Sequence, residues 1–161
     1  MIRQSGLIGI TVVEDSDQRH VLGRVRSFEV CLETNALLGF TYATNGVIRK
    51  RVFIPRDRIM EIDSGFITVK RPEKKAKHPK DALDLTKRLE VVDQDGNDLG
   101  FVVDFFLDED RRGLDSLEVS RGVFEDVLNG RFKVKEFSRM EYSEKVIAVC
   151  KNEQGERRGE T

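Results

Sequence analysis

Cysteine and histidine are scarce in this chain of 161 residues, which has two of each. Cys31 lies inside an apolar run, Cys150 follows the last predicted strand, and His20 and His78 lie in different segments. Because neither cysteine has a Cys or His partner nearby in sequence, the spacing argues against a zinc site or a disulfide framework. We therefore expect no bound metal and no cofactor.

Long apolar runs are missing as well. No stretch approaches the roughly 20 residues that a membrane-spanning helix needs, and the first residues lack the apolar region of a signal peptide. With 39% hydrophobic and 35% charged residues, the composition is that of a soluble globular protein. We expect a cytoplasmic protein with no membrane span.

The usual catalytic and phosphate-binding motifs are also absent. There is no Gly-x-Ser-x-Gly, no identifiable Cys and His pair, and no Gly-x-x-x-x-Gly-Lys. The run Asp93–Asp98 begins like a calcium loop, but its glycine is the fourth residue rather than the sixth, so Asp95 and Gly96 predict a hairpin turn. We expect no catalytic residue and no enzyme activity; an enzyme that uses scattered carboxylates is the alternative.

The sequence does contain an internal repeat. Leu22–Val25 has a counterpart in Leu99–Val102, and Met60–Ile62 has a counterpart in Met140–Tyr142. The glycine recurs after 77 residues and the methionine after 80, which indicates two related copies with a three-residue insertion in the second. Each copy is small enough that its own core is only marginally stabilising, so we expect the copies to pack together or to dimerise.

Short alternating segments of β-branched and aromatic residues dominate each copy and predict strands. Asn45 and Gly46 predict a tight hairpin turn. Pro55 ends the strand that follows, before a helical turn over Arg56–Met60. The predicted strands of the first copy are Leu7–Val13, Leu22–Leu32, Ala36–Ala43 and Val47–Ile54, with a closing pair around Ser64 and Gly65.

The second copy has a helical pattern in place of the Asn-Gly hairpin. Val123, Phe124, Val127 and Leu128 have helical spacing, and the Asn-Gly pair that follows them provides a C-terminal stop. We expect a short amphipathic helix that caps an open end of its own sheet; the alternative is that it presents Phe124 and Leu128 to the other domain.

Both copies resemble PRC-barrel domains, the small β-barrels of the photosynthetic reaction centre H subunit and of the ribosome maturation factor RimM. Gly100, Val102 and Asp104 give the Gly-x-Val-x-Asp pattern, and Ser120–Arg131 resembles the loop-helix insert of that family; in the first copy Ser27 stands in the place of Asp104. The resemblance implies a mainly β fold of two PRC-type β-barrels in tandem, with a short helix in the second. The implied domains are residues 1–70, a basic linker at 71–86, residues 87–151, and a polar tail at 152–161.

The bridge between the copies is strongly basic. From Lys70 to Arg88 it has eight basic and three acidic residues, whereas residues 89–161 have a net charge of −7. The cluster is able to attract phosphate or another acidic surface. The alternative is a solvated linker, extended by its own charge and lying against the acidic second domain. The candidate binding lysines are Lys74, Lys75, Lys77 and Lys80.

A second basic group, Arg49, Lys50 and Arg51, lies on the predicted strand Val47–Ile54. Alternation along a strand places Arg49 and Arg51 on one face and Lys50 on the other, so the three do not form one patch. We interpret them as charges that protect an edge strand from aggregation.

The resemblance implies a non-catalytic adaptor of the stand-alone bacterial type, which engages a protein partner through its barrel surfaces. Phe124 and Leu128, with the bridge lysines, are the predicted partner-binding residues. One alternative is an RNA- or ribosome-associated maturation factor that uses the lysine-rich linker. Another is a structural protein that self-associates, for instance as a homodimer.

Overall fold

Strands make up most of the regular structure, so the protein is mainly β as expected. The computed structural model describes residues 1–71, 74–83, 88–142, 145–150 and 156–157. The strands before and after the two copies are Ile2–Arg3 (β1) and Glu156–Arg157 (β14). The strands of the first copy are Thr11–Glu14 (β2), Val21–Cys31 (β3), Ala36–Thr44 (β4), Arg51–Pro55 (β5), Ile59–Ile62 (β6) and Phe66–Val69 (β7). Those of the second copy are Glu90–Val92 (β8), Asp98–Leu107 (β9), Leu114–Ser120 (β10), Phe132–Val134 (β11), Phe137–Tyr142 (β12) and Lys145–Cys150 (β13), with a helix, Val123–Asn129 (α1), between β10 and β11.

The two copies have the same strand topology. The first sheet has the order β5-β4-β3-β2-β7-β6, and the second has the equivalent order β11-β10-β9-β8-β13-β12, with β1 beside β9 and β14 beside β11. In each copy the first strand runs parallel to the last, β2 with β7 and β8 with β13. Each half of the sequence repeat therefore builds one sheet. The fold includes a sheet that curls into a half-barrel, whereas two closed barrels of PRC type remain a prediction.

In both copies, the position of the glycine in the repeated Leu-Gly motif leaves no room for a Cβ. A Cβ at Gly23 would overlap the backbone carbonyl of Ala43 on the neighbouring strand, and a Cβ at Gly100 would overlap that of Ser120. Gly100 also has a positive φ of 125°, a region that L-residues rarely adopt. The motif thus marks a place where the backbones of two strands approach closely.

The three-residue insertion lies between the third and fourth strands of the second copy. In the first sheet Phe40 is opposite Ile54, and in the second sheet Leu117, which is 77 residues after Phe40, is opposite Val134, which is 80 residues after Ile54. The connection that is longer in the second copy than in the first is the one that contains α1. A loop in the first copy and a helix in the second therefore occupy equivalent places.

The two sheets meet through a local two-fold arrangement of hydrogen bonds. Leu37 N donates to Arg112 O at 3.0 Å, and Leu114 N donates to Asn35 O at 2.7 Å. Leu37 and Leu114 are equivalent in the repeat, as are Asn35 and Arg112, so the same bond is made in both directions. The buried apolar side chains of both copies form one cluster.

The segments that precede the copies are exchanged between them. The N-terminal strand β1 precedes the first copy but pairs with β9 of the second, where Ile2 is opposite Leu107. The bridge precedes the second copy, and its Leu83 N donates to Val30 O on β3 at 2.8 Å. Val30 and Leu107 are equivalent positions. The alternative that the linker lies against the second domain holds only at its end: His78 and Leu83 lie on the first copy, whereas Arg88 lies over the ring of Phe101, 4.2 Å from its centroid.

Two predicted strand boundaries are also wrong. The strand predicted over Leu7–Val13 begins only at Thr11, because a 3-10 turn over Gln4–Leu7 precedes it and Gly9 has a φ of 84°. The strand predicted over Val47–Ile54 begins at Arg51. Asn45 and Gly46 form no two-residue hairpin, since Thr44 N bonds to Lys50 O and Lys50 N bonds to Thr44 Oγ1, both at 2.9 Å, and close a longer loop. The predicted helical turn over Arg56–Met60 is confirmed over Arg56–Arg58, where a 3-10 turn forms, but Ile59 already begins β6.

Candidate interaction surface

The apolar side chains of α1 point into solvent. The side chains of Val123, Phe124, Val127 and Leu128 are between 64% and 84% exposed, although they share one face of the seven-residue helix. The helix prediction is confirmed, but the prediction that its apolar stripe caps the core is wrong. A short helix normally turns its apolar face to the core, and here that face is available to another molecule.

The polar side of α1 holds the helix onto the sheet. Ser120 Oγ at the end of β10 donates to Asp126 Oδ2 at 2.6 Å, and Gly122 N donates to Ser120 Oγ at 3.0 Å. Asp126 also accepts bonds from Arg121 N and from Arg131 Nε, each at 3.2 Å. The Ser120 hydrogen bond, followed by the Arg131 guanidinium, lowers the pKa of Asp126 below its usual value. Polar residues that face inward therefore fix the orientation that leaves the apolar face outside.

The base of this connection is tied to the N-terminal strand through a buried carboxylate. Arg131 Nη1 lies 3.5 Å from Glu118 Oε2, and Arg3 makes a two-pronged contact with the two oxygens of Glu118 at 2.9 and 3.0 Å. Arg3 also lies over the ring of Phe106, 5.1 Å from its centroid. Such a fork combines charge with fixed geometry. The position of the helix insert is thus coupled to the exchanged segment.

The aspartate of the Gly-x-Val-x-Asp pattern belongs to the same buried cluster. Asp104 lies opposite Glu118 in the β9–β10 pairing, and both side chains are buried. Facing carboxylates repel one another unless donors compensate them. Asp104 Oδ1 accepts bonds from Phe105 N at 2.9 Å, Ser5 N at 3.3 Å and Gln4 Nε2 at 3.4 Å. The pattern therefore supplies an anchor for the N-terminal segment.

The first copy also contains a buried carboxylate, which is compensated by different donors. Ser27 and Thr41 occupy the positions of Asp104 and Glu118, and both hydroxyls donate to Oε1 of the buried Glu29 at 2.8 Å. The bridge residue His78 places Nε2 3.0 Å from the same oxygen. Sequence reasoning missed Glu29, although a lone acid within the apolar strand Val21–Cys31 was the available signal.

The bridge lysines lie on the surface of the described part of the bridge. Lys74, Lys75, Lys77 and Lys80 are all exposed, and none of them contacts α1 through a described hydrogen bond or ion pair. His78 and Leu83 fasten the segment that carries them to the first copy. The two sets of predicted partner-binding residues, these lysines and the α1 pair Phe124 and Leu128, therefore belong to different surfaces.

The loop Asn45–Lys50 in the first copy also exposes apolar side chains. Val47 is fully exposed and Ile48 is 78% exposed. Arg49 and Lys50 lie in this loop rather than on a strand, and Arg51 begins the edge strand β5; all three are exposed. The prediction that strand alternation separates them is wrong, because the strand begins only at the third of them.

The predicted turn at Asp95 and Gly96 is confirmed. Asp93 Oδ1 accepts bonds from Asp95 N at 2.9 Å and Asn97 N at 2.8 Å, and Gly96 has a φ of 84°. These bonds, with that from the Asn97 side chain first, lower the pKa of Asp93. Within the described residues, no group of three or more His, Cys, Asp or Glu side chains is arranged to hold a metal ion.

Comparison of the chain with known protein-family models and with curated proteins found no match. Among the helices in the described part of the chain, none is long and apolar enough to cross a membrane.

Proposed function

We propose that this protein is a cytoplasmic, non-catalytic adaptor that binds a protein partner through the apolar face of α1. The observation that carries the proposal is the reversed orientation of the helix, with Asp126 fixed against Ser120 while Phe124 and Leu128 are exposed. Burial of one large apolar side chain contributes about 1.5–3 kcal/mol. Four such side chains on one anchored face therefore supply a favourable apolar contribution that offsets the cost of association, which is about 4–15 kcal/mol.

The spacing of the exposed residues defines the partner. Along α1, Val123 lies one turn from Val127, and Phe124 lies one turn from Leu128. An amphipathic helix that fills an apolar groove has its apolar residues in this arrangement. Large side chains near the centre of a contact, such as Phe124, carry most of the binding free energy in interfaces of this kind. The partner is thus expected to offer a groove with separate pockets for Phe124 and Leu128.

The proposal includes a PRC-type barrel for each copy. It is supported by the equal strand order of the two sheets, by the close backbone approach at Gly23 and Gly100, and by the anchoring of the loop-helix insert at Asp126. Adaptor action fits this architecture, because the sheet holds the helix in place while the helix contacts the partner.

Site-specific photo-crosslinking tests the proposal. A photoreactive phenylalanine analogue at Phe124 is expected to crosslink one protein from a native lysate, and the same analogue at Met60, an apolar residue exposed on the first copy, is expected not to do so. Identification of the crosslinked protein by mass spectrometry then gives the partner. Crosslinks only to a second copy of the chain would favour self-association, and equal products from both positions would contradict the proposal.

A further inference from the structure

One end of the first sheet combines apolar tips with basic side chains. The loop Asn45–Lys50 puts Val47 and Ile48 into solvent. Val21 is 56% exposed and begins β3 at the same end, since Gly23 is opposite Thr44, the last residue before the loop. These aliphatic side chains are on the first copy, whereas α1 is on the second.

The basic residues of this end come from several strands. Arg51 is opposite Ala43, which is opposite Arg24, so Arg24 and Arg51 lie two strands apart in one register row. The parallel strand β7 ends here as well, because Val69 is opposite Glu14. The exposed basic residues of this end are Arg19, Arg49, Lys50, Arg51, Lys70 and Arg71, whereas the Arg24 guanidinium donates to Gly9 O, before the start of β2, at 3.0 Å.

Acidic residues at this end are fewer. Glu14 faces Arg71 at 3.7 Å, and Asp15 and Asp17 lie in the turn before β3. The basic bridge leaves from this end at Lys70 and Arg71, but His78 and Leu83 hold its later residues against Glu29 and Val30, near the other end of β3. In contrast, α1 itself carries two acids, Glu125 and the inward-facing Asp126. The two equivalent connections of the repeat thus differ in charge.

We propose that this end of the first sheet docks on the surface of an anionic lipid bilayer. Val47 and Ile48 enter the interface between headgroups and acyl chains, while the basic side chains around them pair with lipid phosphates. Exposed apolar residues combined with basic residues bind such surfaces in two ways: the apolar side chains are buried in the interface, and the basic side chains are attracted to the lipid phosphates. RNA fits less well, because the projecting side chains are aliphatic and provide no ring for base stacking. The site is separate from α1 and does not depend on the proposed protein partner.

Co-sedimentation of the full chain with vesicles tests this. Binding is expected to vesicles of phosphatidylcholine with phosphatidylglycerol, to fall as salt is raised, and to be lost on pure phosphatidylcholine. The triple variant Arg49→Gln, Lys50→Gln, Arg51→Gln is expected to bind more weakly by roughly fivefold for each charge removed. The double variant Val47→Ser, Ile48→Ser is expected to bind at least about tenfold more weakly.

The matched control is the double variant Phe124→Ser, Leu128→Ser, which removes exposed apolar side chains from α1 and is expected to leave vesicle binding unchanged. Thermal unfolding of every variant checks that the sheet is intact. Equal binding to both kinds of vesicle, or wild-type binding by both loop variants, would overturn the proposal. Capture of RNA that depends on the three basic residues but not on Val47 and Ile48 would also overturn it, in favour of nucleic acid.

Discussion

At the scale of single residues, buried acids and close-packed glycines explain most of what the repeated motifs do. Asp104 and Glu118 face one another in the second copy, whereas Glu29 takes hydrogen bonds from Ser27 and Thr41 in the first. In each case a residue from an exchanged segment, Arg3 or His78, completes the cluster. The motif residues therefore help to hold the exchanged segments on the sheets.

The substitution Gly100→Ala tests the steric role of the Leu-Gly motif. Its Cβ would overlap the carbonyl of Ser120 at a φ of 125°, so we expect a loss of about 2–4 kcal/mol in the free energy of unfolding. Gly96→Ala is the control, because Gly96 has a φ of 84° but nothing within 4 Å of an added Cβ; it is expected to cost about 1 kcal/mol. Urea unfolding measures both, and equal losses would contradict the steric explanation.

At the scale of elements, α1 shows why a helix can be predicted when its surroundings cannot. Apolar spacing and the Asn129–Gly130 stop are local signals, and they placed the helix correctly over Val123–Asn129. Its outward orientation depends on the bonds of Asp126 to Ser120 and Arg131, which lie in flanking segments. Similarly, Asn45 and Gly46 suggested a short turn, but Thr44 and Lys50 close a longer one.

The anchor at Asp126 predicts a pH dependence of α1. Because the native contacts lower the pKa of Asp126, the anchor is complete above the usual pKa of an aspartate and is lost as the pH falls through the lowered value. In Asp126→Asn, we expect the α1 amides to exchange hydrogen faster at neutral pH, by roughly tenfold. Glu125→Gln is the control on the same helix, since Glu125 bonds to the side chain of Asn129. Equal exchange in the two variants would mean that Asp126 does not hold the helix.

At the scale of the whole molecule, the two copies form one unit related by a local two-fold arrangement. The reciprocal bonds at Leu37 and Leu114, the exchanged segments and the shared apolar cluster all join the sheets. Composition and periodicity predicted the strands and the repeat, but they carry no information about exchange. A segment that pairs with the distant copy has the same local pattern as one that pairs with its own.

This arrangement predicts that both copies unfold together. Arg3→Ala leaves the buried Glu118 without its fork, so we expect a loss of about 2–4 kcal/mol. Hydrogen exchange is expected to show that amides in both sheets lose protection together. The control is Arg26→Ala, an exposed position on β3, with an expected change within about 0.5 kcal/mol. Loss of protection confined to the second sheet would show that the copies are independent.

The exposed face of α1 is the surface that we propose binds the protein partner. Isothermal titration calorimetry tests this proposal. The partner that crosslinking identifies is titrated into three proteins: the wild type, the double variant Phe124→Ser, Leu128→Ser, and the single variant Met60→Ser. We expect the α1 double variant to bind at least about tenfold more weakly, while Met60→Ser binds like the wild type. Unchanged affinity of the α1 variant would contradict the proposal.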